Sequence, residues 1–267
     1  MLHFEPVAPA AYGLTWPGPL FLAGRVPRGP RLAIVGARAA HRRFVACVPA
    51  LVQAAAELGH ALVSGGAVGV DAAAHRAALA LGIAQVAVLP GPPDALYPPD
   101  HRSLFEDIVV SGGAILCPHP PGTLMSKGMF ASRNALVIQL SAAVVGVQAG
   151  ARSGTRGTLR LALRAGCPTA GIVGSPGVAW ALGAGAYSLG LPKPDSVQAR
   201  AVAWLRAEAP QQRWPEPLRW VERVLVERGS VSVDDFEDPL AAAVGLVEAE
   251  AGGWIAEVAP GRYVRAG

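Results

Sequence analysis

Glycine-rich turns, most of them carrying a cation or a hydroxyl, recur through the first part of the chain: Gly36-Ala37-Arg38, Ser64-Gly65-Gly66 with Gly69, Pro90-Gly91, and Arg152-Ser153-Gly154-Thr155. Such turns leave backbone N–H groups free to converge on an anion, and a helix that follows adds the positive end of its dipole. One such turn is weak evidence, because short glycine turns are also the ordinary way to join a strand to a helix. Four on one edge of a sheet point to an anionic ligand. The nearest cations are Arg38, Arg133, Arg152 and Arg156, and a guanidinium fork suits phosphate. Arg38 and Arg152 sit directly beside glycine turns and are read as phosphate ligands. Arg156, with Arg160 and Arg164 beyond it, is read as solvated surface charge.

Other candidates carry less. Asp71 and His75 stand four apart at a helix start and share a face, as an acid–base pair would. An aspartate also suits the positive end of a helix, and no third group or nucleophile completes a set, so no catalytic residue is assigned. Asp94 before Tyr97-Pro98-Pro99 reads as turn chemistry. Cys47, Cys117 and Cys167 are odd in number and widely spaced, with no Cys/His pair to hold zinc. Reduced, buried thiols are expected, with no metal and no cofactor.

The elements that must position these groups follow from periodicity. Apolar runs at 32–35, 61–63, 85–89, 114–117, 143–147 and 169–173 alternate with helix-length segments near 42–58, 71–82, 100–107, 129–140 and 155–165. That alternation predicts a Rossmann-like, doubly wound, mainly parallel α/β sheet over 31–191, with all four turns on its carboxyl edge. Residues 1–30 read as an irregular lead-in without chemistry. A linker rich in Pro and polar residues is expected over 192–217, with a short helix near 197–208. The tail, 218–267, reads as a small winged-helix-like α+β domain. It would have helices at 218–228 and 240–250, a short helix capped by Ser232, and a hairpin of 254–258 and 262–265 around Ala259-Pro260-Gly261.

Composition agrees. With 52% hydrophobic and 16% charged residues, disorder is excluded and strands buried on both faces are expected. The uncharged stretches 134–151 and 165–192 are long enough to suggest membrane spans, but polar residues, prolines and glycines interrupt both. No charged segment followed by an apolar one opens the chain, so a cytoplasmic location is expected. Lys127 and Lys193 are the only lysines. Codon usage is enough to produce an arginine excess of this kind, so the distribution of charge is read instead of its total. Residues 1–200 carry 16 Lys or Arg against 8 Asp or Glu, and 201–267 carry 7 against 11. A polyanion should prefer the first part.

The motifs also resemble those of the DprA (Smf) family in order along the chain. Gly36-Ala37-Arg38 is similar to its Gly-Ser-Arg turn, and Ser64 through Asp71 with Ala74-His75 to its second glycine motif. Pro90-Gly91-Pro92-Pro93-Asp94 through Tyr97-Pro98 looks like its third loop, and Phe130, Arg133-Asn134 and Leu140-Ser141 like its helix signature. Arg152-Ser153-Gly154-Thr155 with Thr158 resembles its last motif. In the tail, 231–234, Gly253-Trp254-Ile255 and 261–264 resemble the winged helix that ends many members. The resemblance implies a non-enzymatic protein that binds and protects incoming single-stranded DNA in natural transformation, loads RecA for recombination and dimerises. It places the DNA on Gly36, Arg38, Ser64, Gly65, Gly66, Gly69, Gly91, Arg133, Asn134, Arg152, Ser153, Gly154 and Thr155. Val68 and Ala135 stand where the family usually has arginine, and Gln148 where it often has glutamate.

The alternatives are a LOG-like nucleotide phosphoribohydrolase and a nucleotide sensor on the same fold. The hydrolase loop Pro-Gly-Gly-x-Gly-Thr-x-x-Glu sets a carboxylate near the ribose, whereas 154–160 offers no glutamate.

Overall fold

The computed structural model describes residues 2–206, 230–232, 234, 246, 255–259 and 262–265. Strands β1 (Glu5–Val7), β2 (Leu20–Gly24), β3 (Arg31–Val35), β4 (Ala61–Ser64), β5 (Gln85–Val88), β6 (Ala114–Cys117), β7 (Ala143–Gly146), β8 (Thr169–Gly171) and β9 (Tyr187–Ser188) form one sheet. Its order is β1-β2-β6-β5-β4-β3-β7-β8-β9. From β6 to β9 every neighbouring pair is parallel, while β2 runs antiparallel to β6 and β1 antiparallel to β2.

Helices cover both faces: α1 (Arg42–Val45), α2 (Val48–Glu57), α3 (Val70–Leu81), α4 (Arg102–Val110), α5 (Lys127–Gln139), α6 (Gly154–Arg164), α7 (Pro176–Gly183) and α8 (Pro194–Leu205). Alternation along β3 shows the two-sided burial. Leu32 and Ile34 pack with Leu51 of α2 and Val70 of α3, whereas Ala33 and Val35 pack with Leu136 of α5 and Leu159 of α6. Each fully buried branched side chain of this kind contributes about 1.5–3 kcal/mol. The chain winds outward from β3 through β4, β5 and β6, then returns to β7 on the other side of β3 and winds outward through β8 and β9. The order reverses between β3 and β7, where such sheets open a crevice beyond their carboxyl ends.

Three expectations need correction. Residues 1–30 are not wholly irregular: alternate burial at Leu20 and Leu22 builds β2, and β1 pairs with it at the sheet edge. The single helix expected over 42–58 is two, because Pro49 at the start of α2 lacks the N–H that a continuous helix would need there. The short helix expected near 197–208 is present as α8 (Pro194–Leu205), but it belongs to the core and not to a linker: buried Val197 and Ala201 pack beside α2, with Trp204 stacked on Tyr187. Ser232, expected to precede a short helix as its cap, ends strand β10 (Val231–Ser232), and Asp234 beyond it is in 3-10 conformation, in keeping with that expectation. That strand joins β11 (Ile255–Ala259) and β12 (Arg262–Arg265) in an antiparallel sheet of order β10-β12-β11, with a bulge between Glu257 and Ala259. The hairpin expected in the tail is therefore present. Except for Leu246, which is helical, the helices expected at 218–228 and 240–250 lie outside the described residues, as does 207–217.

Candidate functional site

The loops after β3 and β7 meet at the reversal. The Ala37 N–H donates to the Gln148 carbonyl at 2.8 Å, and the Gln148 side-chain oxygen accepts from the His41 N–H at 2.7 Å. Two glycines let α3 approach the same place: a Cβ at Gly36 would overlap the Val70 side chain, and one at Gly69, where φ is 84°, would overlap the carbonyls of Ala37 and Arg38. Between these elements opens a cavity of about 280 Å3. Gly36, Ala37 and Arg38 form one wall, Ala67 and Asp71 the floor, Phe130, Arg133 and Asn134 of α5 a second wall, and Ser153, Gly154, Thr155 and Thr158 of α6 a third.

Arg133 dominates the electrostatics. It is only 6% exposed, and its guanidinium lies on Gly65, where any Cβ would overlap it. Its buried Nε has no hydrogen-bond partner. Burial lowers its pKa, the charge of Asp71 opposes that shift, and nearby Arg38 adds to it. Asp71 is pushed the other way: burial raises its carboxyl pKa, against the pull of Arg133 and of the Ala67, Gly36 and Gly65 amides. The Ala67 N–H reaches Asp71 Oδ2 at 3.4 Å, but no Asp71–Arg133 ion pair lies within 4.0 Å; the ion pair found among the described residues is His3–Glu5. A desolvated guanidinium without a close counter-ion favours an incoming anion.

Two further features shape the opening. Exposed Arg38 lies 5.0 Å over the Phe130 ring, which in turn meets Tyr97 edge-on at 5.3 Å. At the start of α6, Ser153 Oγ accepts from the Arg156 N–H at 3.2 Å and donates to the Gly150 carbonyl at 2.9 Å. This cap leaves other first-turn N–H groups beside the cavity.

The family model of DNA recombination-mediator protein A matches residues 14–183. The chain belongs to that family. It is 40% identical over 157 residues to a putative DNA processing protein DprA of Mycobacterium tuberculosis, a match that spans 40% of that relative's length. It is 30% identical to protein Smf of Escherichia coli, covering 94% of this chain and 72% of the relative. The DNA processing protein A of Helicobacter pylori, solved for its single-stranded DNA binding mode, superposes with a TM-score of 0.66 at 26% identity, covering 77% of this chain and 97% of that one.

Around this cavity the expected residues separate. Gly36, Arg38, Arg133, Asn134, Ser153, Gly154 and Thr155 line the cavity. Ser64, Gly65, Gly66, Gly69 and Gly91 are not among its lining residues and shape the scaffold instead. Ser64 Oγ donates to the Ile34 carbonyl at 2.7 Å, Gly65 seats Arg133, the Gly66 carbonyl shares a hydrogen bond with His101 Nδ1 at 3.0 Å, and Gly91 packs on Met125. Arg152 is exposed beside the cavity without lining it. Arg156 donates to the Ala151 carbonyl at 2.6 Å and covers Trp180 at 4.9 Å.

Asp71 and His75 do not form an acid–base pair. Asp71 faces the cavity, whereas His75 is fully buried against Gln85 at 2.7 Å, and burial lowers its pKa to about 4. The Asp94 carboxylate is not spent on its own turn: it accepts from the Gly122 N–H at 2.8 Å, joining two loops far apart in sequence. The glycine turns alone did not disclose Phe130. Its signal was an aromatic three residues before Arg133, on the same helical face. Gln148, which ties the two loops together, had no signal in local pattern. Among the described residues no His, Cys, Asp or Glu group is arranged to hold a metal, and no helix is long and apolar enough to cross a membrane.

Proposed function

We propose that the protein receives single-stranded DNA in the cavity between β3 and β7, protects strands entering the cytoplasm in natural transformation, and passes them to RecA for recombination. The observation that carries this reading is Arg133: a buried guanidinium with an unpartnered Nε, beside the start of α6 and one turn from the half-buried Phe130. Phosphate would meet the guanidinium and the helix terminus, and a base would meet the Phe130 ring. A cavity of about 280 Å3 admits a nucleotide-sized unit, whereas a duplex keeps its bases stacked away from such a crevice. The binding mode named for the H. pylori relative supports the same ligand. Hydrolysis is disfavoured, because Asp71 is the carboxylate among the lining residues and it is buried against backbone amides.

Dimerisation through the core completes the proposal. It is supported by the uncharged stretch 165–192, which supplies β8, α7 and the sheet edge β9 and ends beside the exposed Leu191. Sedimentation at micromolar concentration should show a dimer, and a strict monomer would remove this part of the proposal.

Titration of labelled oligo(dT) at several salt concentrations, with a duplex control, tests the DNA reading. Single strands should bind in preference to duplex, and Arg133→Met should bind less tightly. Preference for duplex, or release of base from a nucleoside monophosphate, would overturn it.

A further inference from the structure

Residues 108–194 contain no Asp or Glu but seven Lys or Arg. Four of the seven, Arg152, Arg156, Arg160 and Arg164, are spaced four apart, from the turn before α6 to its last residue. On an α-helix a step of four residues advances about 6 Å and rotates only about 40°, so Arg156, Arg160 and Arg164 descend as one stripe about 12 Å long, with Arg152 on the turn ahead of the Ser153 cap. It lies away from the sheet: Thr158, Leu159 and Ala162 of the same helix are buried, while Arg160 and Arg164 are exposed, as is Arg152. No carboxylate among the described residues pairs with any of them. Arg156 is held by the Ala151 carbonyl and the Trp180 ring, which fix its position without neutralising it. Like charges at this spacing repel one another, so the stripe opposes its own helix unless an anion lies along it.

We infer that this stripe is a second contact for the backbone of the bound strand, beyond the nucleotide held in the cavity; the inference rests on the single-strand reading above. Continuity supports it, since Ser153, Gly154 and Thr155, at the upper end of the stripe, line the cavity. A strand leaving over the first turn of α6 meets a guanidinium about every 6 Å, a spacing suited to successive phosphates of an extended chain. The contact is to backbone and carries no sequence preference. An acidic protein or an anionic membrane would meet the same charge, but neither is led to it by the cavity.

The test uses the full chain, oligo(dT) of graded length, and three variants: Arg160→Ala with Arg164→Ala, the corresponding double lysine substitution, and Arg133→Met. Alanine costs nothing in helix propensity at exposed sites, so folding is preserved. On long strands the double alanine variant should bind about 25-fold more weakly at 0.1 M salt, with the salt slope shallower by about 1.4, because each single-strand phosphate contact carries a slope of about 0.7. Strands just long enough to fill the cavity should bind it as they bind wild type, and the lysine variant should keep the wild-type slope. If the double alanine variant binds long strands normally while Arg133→Met is weakened, the stripe is wrong and the cavity reading stands. If Arg133→Met binds normally and the double alanine variant does not, the stripe stands and the cavity reading falls. Equal loss on short and long strands would overturn the idea of a separate contact.

Discussion

Gly65→Ala offers a sharper probe of Arg133 than removing the arginine. The three atoms nearest to an added Cβ all belong to the Arg133 guanidinium, the mobile end of a long side chain. Position 65 is not among the glycines with positive φ, so alanine is tolerated by the backbone and stiffens the unfolded chain by about 0.4–1 kcal/mol. The substitution should therefore displace the guanidinium while leaving the fold intact. Loss of one phosphate contact should reduce the single-strand salt slope by about 0.7 and the affinity about fivefold at 0.1 M salt. Displacing Arg133 also removes a charge that holds down the Asp71 carboxyl, already raised above 3.8 by burial. A raised acid contributes stability fully below that value and loses it as pH rises through its folded pKa. Any stability deficit of the variant should therefore appear near neutral pH and shrink in acid. Oligo(dT) anisotropy across salt, with urea unfolding at two pH values, measures both effects. In an Arg133→Met background Gly65→Ala should change neither affinity nor slope. A folded Gly65→Ala protein with wild-type slope, or full additivity of the two changes, would refute the role given to this guanidinium.

Other outcomes follow from the same geometry. Buried His75, with a folded pKa of about 4 against 6.5, makes the unfolded state bind more protons between those values. Wild type should lose about 3 kcal/mol of stability as pH falls across that window, and His75→Gln should lack this share in urea unfolding measured by pH. Arg38→Ala should reduce the salt slope by about 0.7 and free the Phe130 ring, with little dependence on base sequence; a wild-type slope would remove Arg38 from the phosphate contacts. Deleting 207–267 removes no element of the nine-stranded sheet, and 201–267 carry more acid than base. Single-strand binding and its salt slope should therefore survive, and loss of most affinity from a folded truncated protein would place the DNA on the tail.

The sheet was legible because its strands are buried on both faces and read as short apolar runs between helix-length segments. Elements at the margins were less so. Strand β9 is two residues long, β1 is largely exposed, and α8 begins with Pro194 and Asp195 beside a proline-rich stretch that local pattern reads as linker. The glycine turns marked the sheet edge where the cavity opens but not the division of labour along it. Gly65 and Arg133 are far apart in sequence and acquire their relation only when α5 crosses to the other face of the sheet. The same holds for Gln148, whose hydrogen bonds to residues 37 and 41 are made across the β3–β7 junction.

The departures from the family pattern acquire a physical meaning once placed in the fold. Val68, 42% exposed on the turn before α3, and Ala135, half-buried on α5 two residues beyond Arg133, stand where the resemblance implies arginine. Neither is among the residues that line the cavity; they stand on the β4–α3 turn and on α5, which border it. On the α6 side, four arginines follow one another without an acidic residue anywhere in 108–194. A polyanion responds to the number of phosphates neutralised more than to the identity of the cation that neutralises each. Positive charge shifted from one wall to another can therefore maintain affinity while redirecting the strand. With no cation at Val68 or Ala135, the proposed strand, anchored at Arg133, would take its favourable electrostatic course along α6, and that helix would guide the chain leaving the cavity.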